Sequence, residues 1–426
     1  MKVFKFGGAS VKDAEAVKNA GEILNQFKGE ELIVVISAMG KTTNGLEKVV
    51  NACYHKTGEA LLILEEIKSF HEKIMETLFS DNKHEVYQKV NNLFVEIEWV
   101  IEDVPRGYDF IYDQIVCFGE LISTTIVSAW LNENSICNNW LDIRDCLLTD
   151  NNYREAKVNW QQSEALFNEK IPALLKTHSI VITQGFIGNT SENFNTTLGR
   201  EGSDYSAAII GHLMNVESVT IWKDVPGVLN ADPKYFNDAQ KLDQLSYLDA
   251  IELAYYGASV IHPKTIKPLE NKNIPLHVRS FLQSSAKGTT IGKDLQTKPL
   301  VPSFIFKTDQ VLISISAKDF SFIAEENLSA IFGTFAEIGI KLNLMQNSAI
   351  SFSVCIDNDP FKIPQLIERL KEDYRVRYNS DLQLYTIRHY YPSTIETLST
   401  GREILLEQRS RNTAQLVMKA EEKKQQ

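Results

Sequence analysis

Residues 3–13 read VFKFGGASVKD, and the order of residue types in this stretch decides how the fold is read. A short apolar strand carries Lys5, Gly7 and Gly8 follow at once, and a helical pattern begins near residue 12. Glycines directly after a strand let backbone come close to a ligand, often a phosphate. A P-loop places its lysine after the glycines, at the start of a helix, whereas here Lys5 precedes them. A lysine at a strand end beside two glycines can neutralise phosphate while backbone N–H groups approach it. It can equally be a surface lysine before a plain strand–helix turn, and KFGG alone leaves both readings open.

Outward from this stretch, strand-like and helical patterns alternate over the first 280 residues. After an amphipathic helix near 12–27, ELIVVISA reads as a fully buried strand, the pattern of parallel strands covered on both faces. Residues 58–132 are mostly helical; NNWLDI, HSIVITQGF, SVTIWKDV and IPLHVRS are further strands, with helices near 203–214 and 246–257. The expected fold is a three-layer αβα sandwich with a mainly parallel sheet over 1–283. The stretch 284–303, rich in Ser, Gly, Thr and Pro, reads as a linker. Beyond it, 304–381 gives a βαββαβ order, an α+β ferredoxin-like module, and 382–426 reads as a degenerate or truncated second module and tail.

The chain has 426 residues and a net charge of -11, which argues against nonspecific binding to nucleic acid or anionic membrane. The five cysteines include no CxxC pair, and no metal-ligand spacing with histidine is present, so no metal site is expected. With no signal-peptide h-region and no apolar run approaching about 20 residues, the sequence reads as cytoplasmic, with no membrane partner.

Several loops carry candidate chemistry. VISAMGKT ends in Gly40-Lys41-Thr42 like a Walker A motif, but Val35 stands where that motif needs glycine, so a P-loop is excluded. The loop instead lines a ligand site through Ser37 and Thr43. TLGREGSDYSAAIIG (197–211) holds Arg200 between glycines, with Ser203 and Asp204 where a helix should start. Helix capping explains the Ser-Asp pair alone; an arginine held beside a helix N-terminus is an anion site. Glu120 in FGELIST precedes an apolar helix, where it can also simply complement the helix dipole. WKDVPGVLNADPK (222–234) is turn-rich, and lies where α/β proteins bind ligands.

In order, KFGGAS, ISAMGKTTN, FGELIST, LDIRD, GFIGNTSENFNTTLGREGSDYSAA, KDVPGVLNADP, ELAYYGASVIHP and IPLHVRS resemble the aspartate kinases of the amino-acid kinase family. The likeness covers about residues 1–282, and the C-terminal module resembles the ACT domains that follow the kinase there. The resemblance implies transfer of phosphate from ATP, with Mg2+ carried on the nucleotide phosphates, to the β-carboxylate of L-aspartate. The product is 4-phospho-L-aspartate, at the head of the lysine, threonine and methionine pathway. It implies that Lys5 neutralises the transferring group, that Asp204 orients Lys5 or the metal shell, and that Gly7, Gly8 and Ser37 make close contacts. Arg200 would hold the substrate α-carboxylate, Glu120 its ammonium, and Thr43 and Ser203 would complete that pocket. Lys223, Asp224, Leu229, Lys234 and Ser259 would line the nucleotide.

The chain departs from the family where Ala9 replaces threonine, and where Lys223, Leu229, Lys234 and Ser259 replace the usual Thr, Tyr, Arg and Lys. The aspartate side therefore matches better than the purine side. The ACT region implies a homodimer and an amino-acid effector near IKLNLMQNSAISF, with Asn343 and Ser348 as effector contacts. Lysine-inhibited relatives often carry acidic residues there, which this stretch lacks, so weak or absent lysine inhibition is expected. The alternatives are a kinase for another amino acid such as glutamate, and an amino-acid-sensing pseudokinase; no dehydrogenase half follows the kinase in this sequence.

Overall fold

The computed structural model describes residues 1–103, 106–258, 261–295, 300–319 and 321–420. It divides into two compact units: Met1–Val228 with Lys241–Ile251 and Val260–Gln296, and Leu229–Gln240 with Glu252–Ser259 and Thr297–Gln426.

The strands of the first unit are β1 (Lys2–Phe6), β2 (Leu32–Ile36), β3 (Asn139–Leu141), β4 (Ile180–Gln184), β5 (Ile187–Asn189), β6 (Asn195–Thr197), β7 (Val219–Lys223), β8 (Gln244–Ser246), β9 (Leu276–Ser280) and β10 (Thr289–Gly292). Eight of them form one sheet in the order β3-β4-β2-β1-β7-β9-β10-β8, parallel except for the β9–β10 pair. Every residue of β2 and β4 is buried, as both-face helical cover requires. The chain runs from β1 to β2 and onward to one side, then returns to place β7 on the other side of β1. That reversal is the topological switch point at which open α/β sheets bind ligands, beyond the strands' carboxyl ends. Lys5 ends up next to β7, paired in register with Ile221.

Two expectations are corrected here. The stretch read as a linker contains β10, an internal strand of the sheet. Its Gly288 has φ +69, and a Cβ there would lie 2.2 Å from the Val278 carbonyl, so the glycine is needed where the chain enters β10 close against β9. Also, the helical stretch Tyr108–Glu133 is long and apolar enough to cross a bilayer by length and composition, contrary to the reading that no run approaches that length. It is a core segment, with 89% of its apolar window buried inside the fold.

In the second unit, β11 (Ser303–Ala317), β12 (Leu342–Asn347), β13 (Ser351–Asp357), β14 (Tyr374–Arg388), β15 (Ile404–Arg409) and β16 (Thr413–Lys419) form an antiparallel sheet ordered β12-β13-β11-β14-β16-β15. Helices Glu325–Ile338 and Lys362–Asp373 pack Ile331, Phe335, Leu366 and Leu370 against Val311, Ile313, Val354 and Ile356. This gives the ferredoxin-like βαββαβ order. The boundary read at 381/382 falls inside β14, a single strand whose two halves pair with the two halves of β11. Residues 392–419 then add the helix Pro392–Ser399 and strands β15 and β16 to the same sheet.

Candidate active site

The loops that follow β1, β2 and β4 meet the N-terminus of the helix Gly202–Leu213 around a cavity of about 950 Å³. Close backbone approach explains the glycines. A Cβ on Gly8 would lie 2.8 Å from the Ala38 carbonyl, and one on Gly185 would lie 2.6 Å from the Ser203 Cβ. Gly8 in turn accepts a hydrogen bond from the Gly40 N–H at 3.1 Å.

At the switch point, the Lys5 Nζ lies 2.6 Å from Asp204 Oδ1, and the Lys223 Nζ lies 3.1 Å from Oδ2. Asp204 is 1% exposed. Burial opposes its ionisation, but the two ammonium groups outweigh that and hold its carboxyl below the usual range. Ser203 and Asp204 do not cap the helix: the cap residue is Glu201, in a left-handed conformation with no side-chain cap bond. Capping therefore does not account for this pair, and Asp204 instead binds two lysines.

Elsewhere in the same cavity the ionisable groups stand open. Glu120 sits in the first turn of the helix Phe118–Glu133, 2% exposed, and its Oε1 accepts from the Ala38 N–H at 3.3 Å. Its Oε2 has no hydrogen-bond partner among the described residues. Burial pushes its carboxyl up to about 8, against the pull of the Ala38 N–H and the more distant Lys5. Arg200 is exposed between Gly199 at φ +78 and Glu201 at φ +57. Among the described residues it has no ion pair. Thr43, Ser37 and Ser203 also line the cavity.

Not every expected residue comes to this place. Gly7 lies just off the lining, where an added Cβ would be 3.4 Å from the Lys5 Nζ. Asp224 is exposed and outside the lining residues. Leu229 and Lys234 fall in the segment Leu229–Gln240 of the second unit, and Ser259 lies outside the described residues. In the second unit, the Asn343 amide donates to Gln310 Oε1 at 2.7 Å and to Asp357 Oδ1 at 2.8 Å, and accepts from the Lys307 Nζ at 2.8 Å. The sequence reading found no carboxylate in the IKLNLMQNSAISF stretch, and the fold brings one beside it from the end of β13. Ser348 bonds Ser351 across the turn between β12 and β13.

The cavity also has lining residues that the sequence reading missed, chiefly Tyr112, Arg154 and Phe186. The Arg154 guanidinium lies 4.5 Å from the Tyr112 ring centre and pairs with Asp109 at 3.2 Å. Arg154 occupies a polar loop without flanking glycines, so no pattern marked it. Asp113 gave a visible signal that was passed over, a carboxylate within the apolar run YDFIYDQIV. It is fully buried, and burial raises its carboxyl to about 7 against the pull of the N–H groups of Arg154 and Thr197 and the Thr197 hydroxyl.

A parallel sheet with a cationic centre at its switch point, fed by glycine loops rather than a P-loop, defines an α/β phosphoryl-transfer fold. The sequence matches the amino acid kinase family over residues 1–280. It is 30% identical over 362 residues to the lysine-sensitive aspartokinase 3 of Escherichia coli (strain K12), covering 83% of this chain and 78% of that protein. It is 29% identical over 394 residues to the chloroplastic bifunctional aspartokinase/homoserine dehydrogenase 2 of Arabidopsis thaliana, covering 89% of this chain but only 42% of that protein. Among solved structures, E. coli aspartokinase III in complex with lysine and aspartate superposes with a TM-score of 0.83 at 26% identity, covering 98% of this chain and 95% of that one. The same enzyme with aspartate and ADP gives 0.80 at 26% identity, covering 98% and 96%. The chain belongs to the amino acid kinase family, within its aspartokinases.

Proposed function

We infer that this chain transfers the terminal phosphoryl group of ATP to the β-carboxylate of L-aspartate, giving 4-phospho-L-aspartate. The observation that carries this is the division of charge at one cavity: a buried Lys5–Asp204 pair in its lining, backed by the half-buried Lys223 just outside it, and a Glu120 oxygen and an Arg200 that have no partner among the described residues. Aspartate offers an α-carboxylate for a bidentate bond from Arg200 and an ammonium for Glu120. Its β-carboxylate is then left to face the lysines. Two anions must meet in this reaction, and charge spreads over the phosphoryl oxygens in the transition state, so positioned cations supply most of the catalysis.

Asp204 fixes the position of the Lys5 ammonium. Lys223 stands where the family often has threonine, and its bond to Asp204 makes it a second cation at the phosphate end. Among the described residues no group of three His, Cys, Asp or Glu is arranged to hold a metal. Mg2+ is expected to ride on the nucleotide phosphates with its waters, supplying charge neutralisation. The ferredoxin-like unit is read as an ACT-type regulatory region through which two copies pair.

The test is ADP release with MgATP and L-aspartate, run beside L-glutamate, with hydroxylamine trapping the acyl phosphate and Lys5→Ala as control. Turnover confined to aspartate and lost in the control supports the reading. Aspartate binding without ADP release, in folded protein, would replace it with an amino-acid sensor.

A further inference from the structure

Asp113 lies on the helix Tyr108–Val116, is fully buried, and is not among the residues lining the cavity. Its carboxylate nevertheless collects three donors from residues that do line it. Oδ2 accepts from the Arg154 N–H at 2.9 Å and from the Thr197 N–H at 2.9 Å, and Oδ1 accepts from the Thr197 hydroxyl at 2.7 Å. The two loops so joined also touch each other. The Ala156 N–H donates to the Thr197 carbonyl at 3.0 Å, and a Cβ on Gly199 would lie 3.1 Å from the Arg154 carbonyl. Arg154 is held at φ +67, a left-handed conformation that a non-glycine residue keeps only where its surroundings impose it.

We propose that Asp113 is a positioning residue, which locks the Arg154 loop to the Thr197–Arg200 turn and so sets the grip on the amino-acid substrate. The proposal rests on the kinase reading for the identity of that substrate. An acceptor-only carboxylate suits three converging donors. Asparagine can keep both N–H groups on its one oxygen and turn its NH2 to the Thr197 hydroxyl oxygen, whereas leucine, of similar shape, offers no acceptor and leaves both buried N–H groups unpaired. The loss falls on the loops around Arg200 and leaves the Lys5–Asp204–Lys223 cluster, which carries the phosphoryl end, untouched.

The test is steady-state kinetics of Asp113→Leu in the full chain, with each substrate varied in turn. The expected result is a KM for L-aspartate raised about tenfold or more, with the KM for MgATP and kcat changed by no more than about threefold. An unchanged aspartate KM, or equal losses in both substrates, overturns the proposal, since a general structural brace would not discriminate between them. If Asp113→Leu does not fold, Thr197→Val and Thr197→Ser decide. Valine should weaken aspartate alone and serine should restore it; equal constants for the two contradict the lock. Absence of turnover in the wild type would strike the kinase reading only, and calorimetric binding of L-aspartate to the same variants would then decide on Asp113.

Discussion

The two ends of the cavity solve opposite problems. At the switch point a buried carboxylate is already neutralised by two lysines, at 2.6 and 3.1 Å, so its electrostatics are settled before any ligand arrives. At the other end, where the proposed function seats the amino acid, Glu120 is buried with one oxygen unpartnered among the described residues, and Arg200 stands exposed between two residues of positive φ. The first end is preorganised for charge that develops during reaction, which is where fixed cations act with least reorganisation. The second is unfinished until a molecule with its own ammonium and carboxylate completes it. The lesson is that paired charges in a site mark machinery, and unpaired ones mark the ligand.

The largest effect should come from breaking the paired end. Lys5→Ala is expected to lower kcat about 10³-fold or more while leaving the aspartate KM within about threefold. A comparable loss in aspartate affinity would show that Lys5 holds the ground state. Arg200→Lys keeps the charge but not the planar fork, and should raise the aspartate KM by about 10- to 100-fold with a smaller change in kcat. Equal kinetics for the lysine variant would mean that Arg200 is not the carboxylate anchor.

Glu120→Gln should separate stability from function. Burial raises Glu120 to about 8, far above the ordinary carboxylate. Between those values the native state keeps a proton that the unfolded chain has shed, so stability falls as pH rises through the window. Glutamine carries no such penalty. The variant should lose aspartate binding yet melt above the wild type at pH 8, with the gap narrowing toward pH 5; melting curves whose difference ignores pH would refute this account of Glu120.

The smallest effect is expected from the second unit. There the Asn343 amide is engaged with Lys307, Gln310 and Asp357, and burial of Asp357 is outweighed by bonds from Gln310 and Asn343, which keep it below the usual carboxylate range. That cluster resembles the paired end of the cavity rather than the open one. Added L-lysine below about millimolar should change turnover by no more than about twofold, and strong inhibition in a titration would sink the comparison.

Much of the fold could be read from the sequence because parallel strands buried on both faces have a plain signature, as in LIVVI and IVITQ. The glycines of KFGG and LGREG were legible too, since only close approach or positive φ requires them. What escaped has physical reasons. Strand β10 is four residues set among turn formers, and its pairing with β8 comes from a chain segment distant in sequence. The continuity of β14 across an expected boundary depends on its pairing with β11, which no local pattern encodes. Arg154 reaches the cavity through a left-handed residue in a polar loop, and Asp113 acts from inside an apolar helix. Both depend on long-range hydrogen bonds rather than on spacing.

The most direct measurement is calorimetric titration of L-aspartate into the wild type and Glu120→Gln at pH 7, in two buffers of different ionisation enthalpy. The account predicts that the substrate ammonium displaces the proton of Glu120. Binding to the wild type should therefore release protons to the buffer, and the apparent enthalpy should differ between buffers, while residual binding to the variant should show no such difference. An enthalpy independent of buffer in the wild type, with full aspartate affinity retained by Glu120→Gln, would contradict the claim that the open end of the cavity is the amino-acid site.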